Sequence, residues 1–179
     1  MALHLARLHT PIGPLTLLGG DAGLRRVLWP GEPAPPDADG APHAVLDVAR
    51  RELDDWFAGR LTAFSVALDL AGATDFQRRA WLALGDIPYA TTRSYGAQAR
   101  ALGRPGAARA VGAANARNPV PIVLPCHRLV GANGALTGFA GGLEVKRALL
   151  AHEAGVVSAG AAAAGSARTR TSPARPPRT

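Results

Sequence analysis

Three prolines fall within one eleven-residue run, Asn118-Pro119-Val120-Pro121-Ile122-Val123-Leu124-Pro125-Cys126-His127-Arg128. They stiffen it, and Asn118-Pro119 forces an extended chain that ends any helix before it. The run delivers the chain's single cysteine directly next to a histidine and an arginine. A lone cysteine is ordinarily a small buried hydrophobe. The context here favours chemistry instead, because neighbouring positive charge lowers a thiol's pKa and favours the thiolate. Adjacent side chains on extended backbone point apart. His127 is therefore expected to reach Cys126 through a turn or a water molecule.

One cysteine cannot form an intrachain disulfide or a multi-cysteine zinc cluster, so the core must come from apolar burial. At 47 % hydrophobic residues over 179 positions, that core can be built. No metal and no cofactor are expected. No apolar run approaches the ~18 residues of a membrane span, and the first residues lack a signal-peptide pattern. A cytoplasmic, monomeric protein is the resulting expectation.

Charge is unevenly distributed. Residues 1–75 carry 6 arginines against 10 acidic residues, whereas residues 76–157 carry 10 basic residues against 3 acidic ones. Residues 158–179 add four arginines and no acid. A basic excess confined to one part of a chain is the footprint of a polyanion binder. A solvated, arginine-biased surface is the blander explanation, since 19 of the 20 basic residues are arginine.

Punctuation divides the chain into three parts. Residues 1–72 read as a small α+β unit, with strands at His4–Leu8, Leu15–Leu18 and Leu24–Leu28. A loop follows over 31–42, then a helix over about His43–Ala58 and a further strand at Phe64–Leu70. Residues 73–156 read as mostly helical. Thr74 and Gln77 spell a capping box, Ser94 caps a helix through Leu102, and Gly103 stops it. Pro105 opens a helix reaching about Arg117. Helix, Gly-Pro turn, helix is a helix-turn-helix spelling. Residues 157–179, poor in large apolar groups, are expected to form a disordered basic tail.

The second helix of that pair, Ala107–Ala116, consists almost entirely of small residues around one long cation, Arg109. Close packing on a neighbouring helix would explain the small residues. A thin helix could also enter a DNA minor groove, with Arg109 in the base stack and Arg100, Arg104 and Arg117 on phosphates. Farther on, Val145, Leu149 and Glu153 recur at helical spacing. A carboxylate at the expected C-terminus of that helix, near Ala154, sits badly with the helix dipole. It calls for a partner such as His127. The set Cys126, His127 and Glu153 then reads as nucleophile, base and orienter.

The stretch from Ser94 to Glu153 closely resembles the O6-alkylguanine-DNA alkyltransferases, and the upstream Phe76-Gln77 and Trp81 extend the likeness to roughly residues 74–155. Ser94-Tyr95, Ala108-Arg109-Ala110-Val111-Gly112, Asn118-Pro119-Val120-Pro121-Ile122, Pro125-Cys126-His127-Arg128, Gly141-Gly142-Leu143 and Leu149-Leu150-Ala151-His152-Glu153 carry the likeness. It implies a ribonuclease-H-like α+β domain followed by a winged helix-turn-helix-like domain. It also implies irreversible, single-turnover transfer of an alkyl group from O6-alkylguanine in double-stranded DNA to Cys126, after base flipping. O4-alkylthymine stays open as a second substrate. By this resemblance Asn118 shapes the turn at the cysteine, and Tyr95 assists rotation of the nucleotide. Arg109 replaces the flipped base, with Arg104 and Arg117 on DNA. Tyr95, Arg128, Leu129, Phe139 and Ala140 surround the guanine. The family usually has Tyr followed by Ser where Phe139-Ala140 stand, so the side-chain hydroxyls are lost. The cysteines of the zinc found in some members are absent. A cysteine hydrolase would also use such a triad, but it leaves the arginine helix unexplained. A non-catalytic binder of alkylated DNA is at odds with Cys126.

Overall fold

The computed structural model describes residues 2–169 and joins an antiparallel sheet and one helix to a helical C-terminal part. Strands β1 (His4–Thr10), β2 (Gly13–Gly20) and β3 (Gly23–Leu28) form a meander in that order. Leu8 lies opposite Leu15, and Leu17 opposite Val27, which puts the buried leucines on shared faces. Helix α1 (Ala44–Phe57) packs against β1 and β2 with Leu46, Ala49, Leu53 and Trp56 buried, a 3-4-3 spacing that makes one stripe.

The segment at Phe64–Leu70, expected as a strand, meets the sheet at a single bridge between Leu24 and Leu68. Its backbone donors have another outlet. Glu52 on α1 accepts from the amides of Ser65 and Val66 at 3.0 and 3.1 Å, so a side chain takes the place of a ladder.

Helix α2 (Asp75–Leu82) starts at the expected capping box. Gln77 N–H donates to Thr74 Oγ1 at 3.3 Å, and Thr74 N–H to Gln77 Oε1 at 3.0 Å. The short strand β4 (Arg93–Ser94) leads into α3 (Tyr95–Ala101), capped by Ser94. Gly103 at φ +71° ends α3 as expected. Helix α4 spans Ala108–Asn115, shorter at both ends than the sequence implies. Gly106 at φ +93° cannot sit in a helix, so Pro105-Gly106 form a turn and α4 begins after it. Helix α4 packs on both α2 and α3, and Trp81 Nε1–H donates to the Ala114 carbonyl at 2.7 Å.

After the proline run come a 3-10 turn (Cys126–Arg128), strand β5 (Leu129–Val130) paired in parallel with β4, and helix α5 (Leu143–Thr169). Helix α5 overturns two expectations. It does not stop near Ala154, so Glu153 lies inside the helix rather than at its end. It also continues through 157–169, where a disordered tail was expected. Alanine, abundant in that stretch, is the strongest helix former. Residues 170–179 of the expected tail lie outside the described residues. One apolar core, running from Leu8 through Trp56 and Trp81 to Leu149, joins the sheet to the helices.

Thr74→Ala removes one side of the capping box without touching the core. It is expected to lower stability by about 1 kcal/mol in chemical denaturation, with an unchanged m-value.

Candidate active site

The proline run folds into a tight turn that sets the cysteine. Pro121 and Ile122 occupy its centre, Leu124 N–H donates back to the Val120 carbonyl at 2.9 Å, and Ile122 takes φ +74°. A β-branched residue in the left-handed region is strained by about 1–3 kcal/mol, so its surroundings must impose it. Asn118 is the clip. Its Nδ2–H donates to the Leu124 carbonyl at 2.7 Å while its Oδ1 accepts from Val120 N–H at 3.1 Å. Asn115, at the end of α4, adds a 3.4 Å bond to the Cys126 carbonyl. The expected role of Asn118 in shaping this turn therefore has a direct geometric basis.

The 3-10 turn sends consecutive side chains in different directions. Cys126 is 4 % exposed, while His127 and Arg128 both converge on Glu153 of α5. His127 Nε2 lies 2.9 Å from Glu153 Oε1. Arg128 Nε is 3.1 Å from both carboxylate oxygens, and its Nη2 is 2.7 Å from Oε1. Ala90 N–H adds a bond to Oε2 at 2.9 Å, from a residue that takes φ +57°. With its hydrogen bonds to His127 and Arg128 outweighing burial, Glu153 is held ionised with a pKa of about 2. The ionised carboxylate fixes the proton on Nε2, leaving Nδ1 as the basic nitrogen. That nitrogen is buried and has no protein partner. Burial also lowers the His127 pKa, against the pull of Glu153, which keeps the ring neutral and able to accept a proton.

Three site expectations need correction. Neighbouring positive charge does not make Cys126 a ready thiolate; burial pushes the thiol up to about 11. Arg128 cannot help, because Glu153 takes its charge and its Nη1–H donates to the Ile87 carbonyl at 2.7 Å. For the same reason Arg128 does not line the cavity beside α4. It is a buried structural cation lying over the Tyr89 ring. Leu129 is also fully buried and absent from the cavity wall.

Lys146 is the residue sequence reasoning missed. It is fully buried, and its Nζ donates to the Leu129 carbonyl at 2.6 Å and the Thr137 carbonyl at 3.0 Å. The ammonium lies 5.9 Å from the ring centroids of both Tyr95 and Phe139, and its charge draws the Cys126 pKa down against burial. Two signals were available. It is the only lysine among twenty basic residues, and it stands at i, i+3, i+7 with Leu149 and Glu153 on the face of α5 that is 0 % exposed.

An open cavity of about 600 Å³ lies between α4, Tyr95 and the loop at 137–140. Ala108 and Gly112 of α4 and Ala116 just after it, spaced by four, present small side chains to it, with Arg109 also in its lining. Phe139 and Ala140 form part of the opposite wall, so the residues that replace the family's hydroxyls leave that wall apolar. Arg104 and Arg117 are elsewhere. Arg104 lies over the Phe76 ring, and Arg117 lines a separate cleft with Arg25 and Arg26. Among the described residues no cluster of three or more His, Cys, Asp or Glu could hold a metal ion, and no helix is long and apolar enough to cross a membrane.

Comparison with known proteins agrees with this architecture. Residues 75–155 match the family "6-O-methylguanine DNA methyltransferase, DNA binding domain". The methylated-DNA–protein-cysteine methyltransferase of Mycobacterium tuberculosis H37Rv is 50 % identical over 155 residues, covering 83 % of this chain and 90 % of that protein. The one from Methanosarcina acetivorans is 45 % identical over 151 residues, covering 83 % and 96 %. The crystal structure of M. tuberculosis OGT in complex with DNA superposes with a TM-score of 0.79 at 48 % identity, covering 86 % of this chain and 94 % of that one. The chain belongs to the methylated-DNA–protein-cysteine methyltransferase family.

The buried ion cluster makes stability depend on pH in a defined direction. The folded-state pKa values of both Glu153 and His127 are depressed. Their contribution is complete above 6.5, the ordinary imidazole value. It is lost as pH falls, first through His127 and then, from 4.5 down to about 2, through Glu153. Glu153→Ala strands the Arg128 cation and is expected to cost about 3–5 kcal/mol at pH 7 in urea denaturation. Loss of less than 1 kcal/mol would mean that the pair is solvated.

Proposed function

We propose that Cys126 is the acceptor through which this family member repairs DNA by direct reversal, taking the alkyl group of O6-alkylguanine irreversibly. The observation that carries this reading is a histidine next in sequence to a buried cysteine, locked through Nε2 by an ionised glutamate and left with a buried, unpartnered Nδ1. A thiol with a pKa near 11 is a poor nucleophile until a base removes its proton. His127 Nδ1 is that base, acting through a bridging water, and Glu153 stabilises the imidazolium that forms. The thiolate sulfur then attacks the alkyl carbon. As the S–C bond forms, the C–O6 bond breaks and its electron pair stays with the guanine, which is reprotonated from the relay. The thioether has no route back to a thiol, so each molecule acts once.

The guanine cannot meet this sulfur while stacked in a duplex, so it must be extruded. The cavity beside α4 is the receiving pocket, with Tyr95, Phe139 and Ala140 around the base. The small face of α4 suits close approach to the minor groove, and Arg109 in the cavity lining takes the place the base leaves. Arg104 and Arg117 contact the DNA backbone outside the pocket. The division of labour follows the chain. Residues 1–72, read as a ribonuclease-H-like unit, buttress the site, and residues 73–156, read as a winged helix-turn-helix-like unit, hold the DNA and the cysteine.

Intact-mass spectrometry after incubation with an O6-methylguanine duplex is expected to show one methyl per protein, on Cys126, and none for Cys126→Ala. Repeated turnover, or tight binding with no adduct, would overturn the proposal. Arg109→Ala is expected to slow repair of the duplex by about 10-fold or more while leaving attack on free O6-methylguanine within about twofold. Equal slowing on both substrates would remove Arg109 from extrusion.

A further inference from the structure

The wall of the cavity formed by residues 137–140 has little regular structure to hold it. Its backbone is secured by two bonds, Lys146 Nζ–H to the Thr137 carbonyl and Gly142 N–H to the Phe139 carbonyl, both at 3.0 Å. What restrains the Phe139 side chain from outside is Trp29, which follows β3 in the N-terminal part. Trp29 is only 7 % exposed, and its ring meets Phe139 edge-on at 5.5 Å between centroids and 63° between planes. Its indole also lies flat against the backbone of Gly141, where a Cβ would fall 2.9–3.0 Å from three of its ring carbons. Trp29 thus touches the loop at two points two residues apart without itself lining the cavity.

Trp29 is in turn firmly seated. Its carbonyl accepts from Glu32 N–H at 3.1 Å, and the next residue, Pro30, packs against Gly13 at the start of β2 so closely that a Cβ there would be 2.8 Å away. Two β3 positions back, Val27 N–H donates to the Pro119 carbonyl at 2.8 Å, tying the same stretch to the proline run before Cys126. β3 and the residue after it therefore touch both the segment leading to Cys126 and the loop that walls the cavity.

We infer that Trp29 is a positioning residue for alkyl-group selectivity: it fixes Phe139 and so sets the size of O6 substituent that the cavity takes. This rests on the assignment of the cavity as the base pocket. Phe139 is half-buried, with Trp29 on one side and the Lys146 ammonium 5.9 Å from its ring centroid. Removing the indole edge frees the phenyl ring to withdraw, which relaxes the pocket toward larger groups while His127 and Glu153 stay in place.

The test compares single-turnover rate constants on duplexes carrying O6-methylguanine and O6-benzylguanine, both measured on the same preparation of each variant so that the folded fraction cancels in their ratio. Trp29→Leu is expected to raise the benzyl-to-methyl ratio about tenfold, the size of effect that a modest change in pocket volume produces. Trp29→Phe restores an aromatic edge and is expected to keep the ratio within about twofold of wild type, well below that effect. Leu17→Ala, a truncation in the middle of β2 away from the loop, serves as the control for general destabilisation and is expected to leave the ratio unchanged. An unchanged or lowered ratio in Trp29→Leu, or the same rise in Leu17→Ala, overturns the inference. Phe139→Ala separates the two levels. If it shifts the ratio while Trp29→Leu does not, the pocket stands and the role of Trp29 falls. If neither shifts it, the assignment of the pocket falls as well.

Discussion

Everything at this site depends on one carboxylate held ionised inside the protein. Glu153 has no exposed surface, yet it carries its charge because four N–H donors from His127, Arg128 and Ala90 meet it, the Arg128 Nε–H shared between its two oxygens. An isolated buried carboxylate would neutralise itself by taking up a proton. Here the guanidinium supplies the counter-charge, so the imidazole need not. That separation matters chemically. If His127 were the sole counter-ion, it would be driven toward the protonated state and could not accept a proton from the thiol. Arg128 thus balances the charge of Glu153 from a position outside the cavity wall.

Lys146 plays the complementary part on the other side. It lies on the same face of α5 as Glu153, and the two charged residues are separated by Leu149. One end of this face holds Glu153 with His127 and Arg128, and the other holds the loop at Thr137 and lies near the rings of Tyr95 and Phe139. A lysine suits the second position because an ammonium directs three donors at scattered carbonyls, whereas a guanidinium prefers a planar pair of acceptors. In a chain that otherwise uses arginine throughout, this choice reflects the geometry of the carbonyls.

The elements most visible in the sequence were those governed by local chemistry. The capping box at Thr74, the Ser94 cap, the Gly103 stop and the apolar stripe of α1 all depend on residues within one or two turns of each other. The meander was legible for the same reason. What escaped was decided at a distance. Phe64–Leu70 has the composition of a strand, but Glu52 takes the amides of Ser65 and Val66. Glu153 was paired correctly with His127 for a reason that does not hold, since the helix runs on and no terminal dipole acts there. The state of Cys126 depends on burial, which neighbouring residues in the sequence do not report, and burial outweighed the adjacent positive charge. The resemblance places Arg128 at the pocket, whereas the 3-10 turn carries it onto Glu153. The role of Trp29 could not be read at all, because it arises from an approach between residues more than a hundred positions apart.

The left-handed conformation of Ile122 gives the turn before Cys126 a temporal meaning. A glycine would have adopted φ +74° freely, but it would also have left the turn many alternatives. The branched, buried isoleucine has few once Asn118 closes the clip, so the direction in which the sulfur points is settled when the chain folds. For a protein that reacts once and is then spent, folding is the single occasion on which this ordering has to occur. Each later encounter with DNA, most of them with undamaged bases, meets a sulfur that is already aimed.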